Sequence, residues 1–177
     1  MKRIDISKFR RDNTFYGQID LLLTVKSFDL QAIRKRYLDS KKNKRSGSTK
    51  RREPALGGVV SLSINNGKLF NDEVLCQLKE PRGIDFLHNK LAVSSEDKVF
   101  VLTDEIQTLE NDYFSYIHTV SFSPFDDNRL LVSSSGFDCI FEYSLSHSKL
   151  CWEWFAWENG FDKGKDPKTN TDVLLTR

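Results

Sequence analysis

The feature that most constrains this chain is a succession of short runs of alternating apolar and polar residues, which begins near residue 57 and continues nearly to the end. Groups of Asn, Asp, Gly and Ser separate the runs, and these residue types favour tight turns. Short strands joined by tight turns predict antiparallel meanders, and therefore an all-β fold. The runs are VVSLSI, FLHNKLAVSS, VFVLTDE, IHTVSFSP, NRLLVSSS, DCIFEYSL and KLCWEWFAW.

The runs also repeat. Residues 91–95 (LAVSS) match residues 130–134 (LLVSS) at an offset of 39, and residues 66–69 match residues 147–150 at an offset of 81. A weaker match relates residues 22–25 to residues 130–133 at an offset of 108. A period of roughly 36 to 40 residues, with four short strands in each repeat, is typical of β-propeller blades. The alternative is a β-sandwich in which the similarity is coincidental.

The sequence contains too few repeats for a closed propeller. A propeller has at least about four blades, each of about 40 residues, whereas the recognisable repeats amount to about three. We therefore predict that residues 1–177 form a single partial β-propeller domain. An open arc of blades would leave apolar faces bare, so we expect self-assembly into a ring, a partner that supplies the missing blades, or a longer chain.

Charge is concentrated in one segment. The whole chain carries a formal net charge of +2, but residues 34–52 hold ten basic residues and one acid. The centre of this segment, KKNKRSGSTKRREP, has no apolar residue, so residues 39–54 are predicted to be a disordered basic insertion within the first recognisable blade. It is either a simple solvated insertion or a contact for an acidic partner, a nucleic acid or another polyanion. The candidate polyanion contacts are Lys41, Lys42, Lys44, Arg45, Lys50, Arg51 and Arg52.

Just before this segment, SFDLQAIRKRYLDS places Leu30, Ile33 and Tyr37 at helical spacing. The stretch predicts either a helix or a strand that runs into the basic insertion.

Several classes of function are disfavoured by what the sequence lacks. The three cysteines have no CxxC spacing, which argues against a disulfide framework and against a zinc site. The usual nucleotide, hydrolase and metalloprotease motifs are missing, so we predict no metal and no cofactor. No apolar run approaches the length of a membrane span, and the first residues lack the apolar stretch of a secretory signal. We therefore expect a cytoplasmic protein that does not interact with membranes.

The repeats resemble known propeller families. FSPFDDNRLLVSSSGFDCIFEYSL is similar to a WD-repeat blade, and PRGIDFLHNKLAVSSEDKVFVL resembles blades of the NHL class. Over residues 57–157, the closest overall resemblance is to arylsulfotransferase-type propellers. The features that carry it are a histidine before the first strand of a blade, a serine-rich strand end, and the closing motif formed by Trp152, Glu153 and Trp154.

The arylsulfotransferase resemblance implies a catalytic role for His118 beside the central channel, with Arg82 at the corresponding start of the preceding blade. Trp152 and Trp154 are expected to share one strand face, where they either pack between blades or offer an aromatic platform to a ligand. The family pattern is incomplete, because Val120 stands where an asparagine is usual.

We therefore predict a non-catalytic interaction or scaffold module with a protein partner. The alternative is an arylsulfotransferase-like enzyme, or a propeller that binds a small ligand through His118.

Overall fold

The computed structural model describes residues 17–42, 53–166 and 169–174, and everything below refers to these residues. They form mainly β-strands, with one α-helix and one short 3-10 helix at Ala156–Asn159. The helix α1 spans Leu30–Lys42. The strands are β1 (Gln18–Val25), β2 (Leu56–Asn65), β3 (Lys68–Lys79), β4 (Ile84–Leu87), β5 (Lys90–Ser94), β6 (Val99–Leu102), β7 (Ile106–Leu109), β8 (Ile117–Phe122), β9 (Arg129–Ser134), β10 (Cys139–Ser144), β11 (Lys149–Phe155), β12 (Lys163–Lys165) and β13 (Asp172–Leu174).

The strands form four antiparallel sheets. Sheet A contains β1, β2 and β3 in that order, and sheet D is the hairpin of β12 and β13. Sheets B and C are four-stranded meanders, with orders β4-β5-β6-β7 and β8-β9-β10-β11. Each strand in B and C pairs with its neighbour in the chain, which is the strand order of a propeller blade. The predicted antiparallel four-stranded blades of an incomplete propeller are therefore confirmed in sheets B and C, whereas sheet A has three strands.

The core lies between sheets B and C. Along β9 the side chains alternate, so that Leu130 and Val132 are fully buried whereas Leu131 is 39% exposed. The same alternation buries one face of β6 and of β10, because neighbouring residues of a strand point to opposite sides of the sheet. The central core residues are Ala92, Val99, Val101, Leu109, Ile117, Val120, Leu130, Val132, Phe141 and Phe155.

Polar contacts fix how sheet B meets sheet C. Ser94 Oγ accepts a hydrogen bond from the Gly83 amide at 2.8 Å and donates one to the Ile117 carbonyl at 3.1 Å. The carboxylate of Asp85 accepts a hydrogen bond from the backbone amide of Phe122 at 2.7 Å. These bonds satisfy polar groups where β4 and β5 meet β8, and a buried donor or acceptor left unpaired there would cost about 1–3 kcal/mol.

The serine-rich end of β9 has a similar structural role. Ser134 Oγ donates to the Tyr113 carbonyl at 2.6 Å and accepts from the Ser115 amide at 2.9 Å. The hydroxyl thus ties the end of β9 to the segment that leads into β8. The hydroxyls of Ser94 and Ser134, at the serine-rich ends of β5 and β9, thus both bond to the backbone of neighbouring segments.

In the chain, helix α1 connects β1 to β2 of sheet A. The stretch SFDLQAIRKRYLDS is therefore helical, which was one of the two predicted alternatives. Asp29 caps its first turn, since Asp29 Oδ1 accepts a hydrogen bond from the Ala32 amide at 2.8 Å. The helix continues through Lys42, so residues 39–42, predicted to be disordered, are helical, and Lys41 and Lys42 are the last residues of α1. Residues 43–52, including Lys44, Arg45, Lys50, Arg51 and Arg52, lie outside the described part of the chain.

Strand β3 is irregular. Its pairing with β2 shifts register twice, between Val59 and Val60 and again between Ser63 and Ile64. The extra residues on β3 are Leu75 and Phe70, which are 50% and 57% exposed. Each is a β-bulge, which bends the strand and increases its twist.

Candidate functional site

The structure brings together two of the residues that the sequence singled out. Arg82 lies just before β4, and His118 lies in β8 at a point where the pairing with β9 shifts register. The Nη1 atom of Arg82 is 2.9 Å from Nε2 of His118. The guanidinium group also stacks over the ring of Tyr116, 4.8 Å from its centroid. The two residues that start successive blades are therefore in direct contact.

Two buried carboxylates complete this group, and the sequence analysis did not identify either. Glu80 and Glu96 are 1% and 3% exposed. Arg82 Nη2 lies 2.9 Å from Glu80 Oε2 and 3.5 Å from Glu96 Oε2, while Lys26 Nζ lies 3.7 Å from the same Glu80 oxygen. Two carboxylates and two cations therefore balance in formal charge around a histidine. A usable signal was present in the sequence, since a glutamate two residues before an arginine can fold back onto it.

The surroundings of His118 disfavour the protonated form of its imidazole. Burial lowers the pKa of His118, and the positive charges of Arg82 and Lys26 lower it further. Because a guanidinium group can only donate hydrogen bonds, Nε2 of His118 is the acceptor and the ring proton lies on Nδ1. Burial raises the pKa of Glu80, but the hydrogen bonds from Arg82 and from the Ala55 amide, with the two nearby cations, outweigh it and leave that pKa below its usual value.

The group connects all three large sheets. Glu80 accepts a hydrogen bond at 3.4 Å from the amide of Ala55, just before β2 of sheet A. The carbonyl of Arg82, just before β4 of sheet B, accepts a 2.7 Å hydrogen bond from Thr24 of β1. His118 belongs to β8 of sheet C. Both Nη atoms of the guanidinium are engaged, whereas its buried Nε has no hydrogen-bond partner among the described residues. The contacts of the two Nη atoms are suited to holding the three sheets together.

Trp152 and Trp154 lie on a different strand of sheet C from His118. Both are on β11, at the opposite edge of sheet C from β8. They pair with Glu142 and Ile140 of β10, and hence share one face, whereas Phe155 points into the core and is 1% exposed. The structure therefore does not bring the two tryptophans together with Arg82 and His118.

A shallow open cavity of about 420 Å³ lies beside Trp154. The ring of Phe161 packs against the indole of Trp154, with centroids 6.4 Å apart. Ser133, Asp138 and Ile140 form other parts of the wall. Among the residues that the structure describes, there is no group of three or more His, Cys, Asp or Glu side chains that could hold a metal ion. The helices in that part of the chain are also too short or too polar to span a membrane.

The largest unexpected feature is one face of sheet A. The pairing of its three strands places nine aliphatic side chains on the same side. Leu69 is 56% exposed, Val74 49% and Leu23 39%, whereas Val60 in the central strand is only 9% exposed. The opposite side carries polar pairs such as Ser63 and Asp20, whose side chains are 2.6 Å apart. We call the nine residues the apolar face of sheet A: Ile19, Leu21, Leu23, Val25, Val60, Leu62, Ile64, Leu69 and Val74.

Comparison with known proteins gives structural neighbours only. No family model matches the sequence, and no curated protein matches it. A chain of the crystal structure of a nidogen/laminin complex superposes with a TM-score of 0.45 and 16% identity, covering 56% of this chain and 39% of that one. The WD40 domain of Neurospora crassa Pan2 superposes with a TM-score of 0.39 and 13% identity, covering 59% and 35%. This chain thus spans well under half the length of either neighbour, and the resemblance to arylsulfotransferases receives no support.

Proposed function

We propose that this chain is a non-catalytic interaction module, a single partial β-propeller domain that binds a protein partner. The observation that carries the proposal is the apolar face of sheet A. Folded chains rarely leave a contiguous apolar patch of more than a few hundred Å² open to water unless it serves in binding. Covering an aliphatic side chain of this kind stabilises a complex by up to about 1.5–3 kcal/mol when its burial is complete.

The group around Arg82 supports a structural role for the residues that would otherwise suggest an enzyme. A sulfuryl-transfer site needs a cation free to bind the sulfate oxygens and a base free to accept a proton. Here the Arg82 guanidinium contacts Glu80 and Glu96, and Nε2 of His118 accepts from Arg82. The Nη atoms of Arg82 and Nε2 of His118 would have to exchange these partners before they could act on a substrate, and Nε of Arg82 is the guanidinium donor that has no partner among the described residues. His118→Ala should accordingly leave partner binding unchanged.

A pair of double variants tests the role of the apolar face. Leu69→Lys with Val74→Lys places two charges on the face, and Asn71→Lys with Glu73→Lys places two on the opposite side of the same strand. Each variant would be used as bait in an extract of the source cells, with bound proteins identified by mass spectrometry. We expect the first variant to lose partners that the wild type and the control retain. Identical partners for all three proteins would contradict the proposal.

The basic insertion is proposed as a second, electrostatic contact with an acidic partner or a nucleic acid. Such binding should weaken roughly tenfold or more between low and physiological salt, because neutralising phosphates releases counterions. Reversal of Lys41, Lys42, Lys44 and Arg45 to Glu should abolish it. The matched control changes the same amount of charge elsewhere: Lys68, Lys149, Lys163 and Lys165 to Glu. Equal binding of a fluorescent oligonucleotide by both variants would show that the insertion is only solvated.

A cytoplasmic location is part of the proposal. Cys76, Cys139 and Cys151 are all free thiols. Free thiols suit a reducing compartment, where disulfides are rare.

A further inference from the structure

A second surface of the molecule complements the apolar face of sheet A. The outer face of sheet C is the side turned away from sheet B. Leu131 and Trp152 on this face are 39% and 48% exposed, whereas Phe161 of the same chain packs against Trp154 on the edge strand β11. We define the outer face of sheet C by the strand pairing as Thr119, Ser121, Leu131, Ser133, Ile140, Glu142, Trp152 and Trp154.

The repeat in the sequence indicates what such a face packs against. At the offset of 39 residues, Leu131 and Ser133 of sheet C correspond to Ala92 and Ser94 of sheet B. In sheet B these positions face sheet C, since Ala92 is completely buried in the shared core and Ser94 hydrogen-bonds to Ile117 of β8. The outer face of sheet C is therefore the surface on which a further blade would pack.

Sheet A presents the opposite end of the arc. Its Thr24 side chain donates to the Arg82 carbonyl, so the side of sheet A that carries Thr24 is turned toward sheet B. The apolar face lies on the other side of the sheet, because Thr24 alternates with Leu23 and Val25 along β1. One chain thus exposes, at its two ends, the two kinds of face that meet between neighbouring blades.

We propose that these two faces bind each other between two copies of the chain, head to tail, so that the pair closes a ring. This deepens the proposed function, on which it rests, by naming a second copy of this chain as the partner of the apolar face. Sheets A, B and C of two copies supply six blade-like sheets, which lies within the usual range of about four to eight blades. A head-to-tail contact forms a closed ring when the rotation between copies closes.

The size of the two faces agrees with a dimer. Three strands of eight residues cover about 14 Å by 26 Å, and four strands of six residues cover about 19 Å by 20 Å, at the usual strand spacing and rise. Each face therefore measures at most on the order of 400 Å², because Val60 of sheet A and Trp154 of sheet C are already partly covered by their own chain. One pair of faces is smaller than a standard interface, whereas a ring that buries both faces of each copy approaches the roughly 800 Å² per partner of a stable complex.

The charges present on the faces are compatible with burial. Glu142, on the outer face of sheet C, is 3.9 Å from Arg129 Nη1, so it would not enter the interface as an isolated charge. On the apolar face of sheet A the acid is Asp72, which lies between Leu69 and Val74 on the edge strand β3, close enough to the border of the face for its carboxylate to reach water. A charged group at a rim stays in contact with water and costs little.

Sedimentation velocity, over a wide range of protein concentration, tests the ring directly. The sheet A variant is Leu69→Lys with Val74→Lys, and the sheet C variant is Leu131→Lys with Trp152→Lys. We expect the wild type to sediment with twice the mass of the chain and each variant alone to sediment as a monomer. An equimolar mixture of the two variants should again form a dimer, because one unaltered pair of faces remains. This dimer should be weaker than the wild-type dimer, so it should dissociate at a higher protein concentration. Asn71→Lys with Glu73→Lys, the control, should remain a dimer.

Three results would overturn the ring. A wild-type monomer at every concentration excludes it. A dimer formed by either variant alone shows that like faces bind each other, and a mixture that stays monomeric although both variants give native circular dichroism shows that the two faces do not pair. The proposed function is tested separately. If the wild type is a monomer but the sheet A variant still loses other protein partners, the chain is an interaction module that does not self-associate.

Discussion

Leu130 and Leu131 are neighbours on β9 whose side chains lie on opposite faces of sheet C, and substitutions at the two positions test this assignment of faces. Leu130 is completely buried, whereas Leu131 is 39% exposed on the outer face. Leu130→Ala should reduce the free energy of unfolding by about 3 kcal/mol, from the lost transfer free energy and the cavity left behind. That corresponds to about two powers of ten in the folding equilibrium, and to a fall in Tm of about 6–12 °C for a chain of this size. Leu131→Ala should cost less than about 1 kcal/mol.

The assay is urea unfolding followed by tryptophan fluorescence. All three tryptophans lie within residues 152–157, so the signal reports on sheet C. The measurements belong at low protein concentration, where association does not add to apparent stability. The m-value should be the same for both variants, because neither changes the area exposed on unfolding appreciably. Equal losses for the two variants, or a loss below about 1 kcal/mol for Leu130→Ala, would refute the alternation on which both proposals depend.

Three further outcomes are expected. The pKa of Glu80 is depressed, so its carboxylate stabilises the fold above pH 4.5, the ordinary pKa of the group. That contribution is lost as the pH falls through the lower folded-state pKa. The loss of stability in acid should therefore be smaller in Glu80→Gln than in the wild type. Burial raises the pKa of the Cys139 thiol to about 11, so a disulfide reagent at pH 8 should label the exposed Cys151 in the native protein and Cys139 only after urea is added. Gly83→Ala should lower Tm in a thermal melt, because the new methyl group would lie 2.8 Å from the backbone nitrogen of Val120 in the neighbouring sheet; an unchanged Tm would mean that the sheets part easily there.

The regular parts of the fold were predictable from the sequence because period-two alternation and turn residues are local signals. The match between residues 91–95 and 130–134 correctly identified equivalent strands, β5 and β9. Strand β3 escaped notice for a physical reason. Its centre carries Asn71, Asp72 and Glu73, and two bulges interrupt the alternation that marks a strand.

The candidate site was predictable only in part. The resemblance that picked out Arg82 and His118 located two residues that meet across a sheet boundary. The contact of Glu96 with Arg82 joins separate segments, which no periodicity encodes, whereas Glu80 lies only two residues before Arg82. The apolar face of sheet A was missed because its three strands had to be placed in register before their aliphatic residues could be seen to share one side.

The bulges of β3 have a consequence for the behaviour of the chain in concentrated solution. This strand is one of the two edge strands of sheet A, and a flat, regular edge with apolar side chains would recruit other chains by strand addition and seed fibrils. The extra residues Phe70 and Leu75 break the line of free amide and carbonyl groups, and the acidic stretch between the bulges repels a like strand. The edge of sheet A is thereby protected against amyloid-like stacking, while its broad side stays available for specific contacts. Deleting Phe70 and Leu75 to make the strand regular should accordingly convert a well-behaved protein into one that binds thioflavin T.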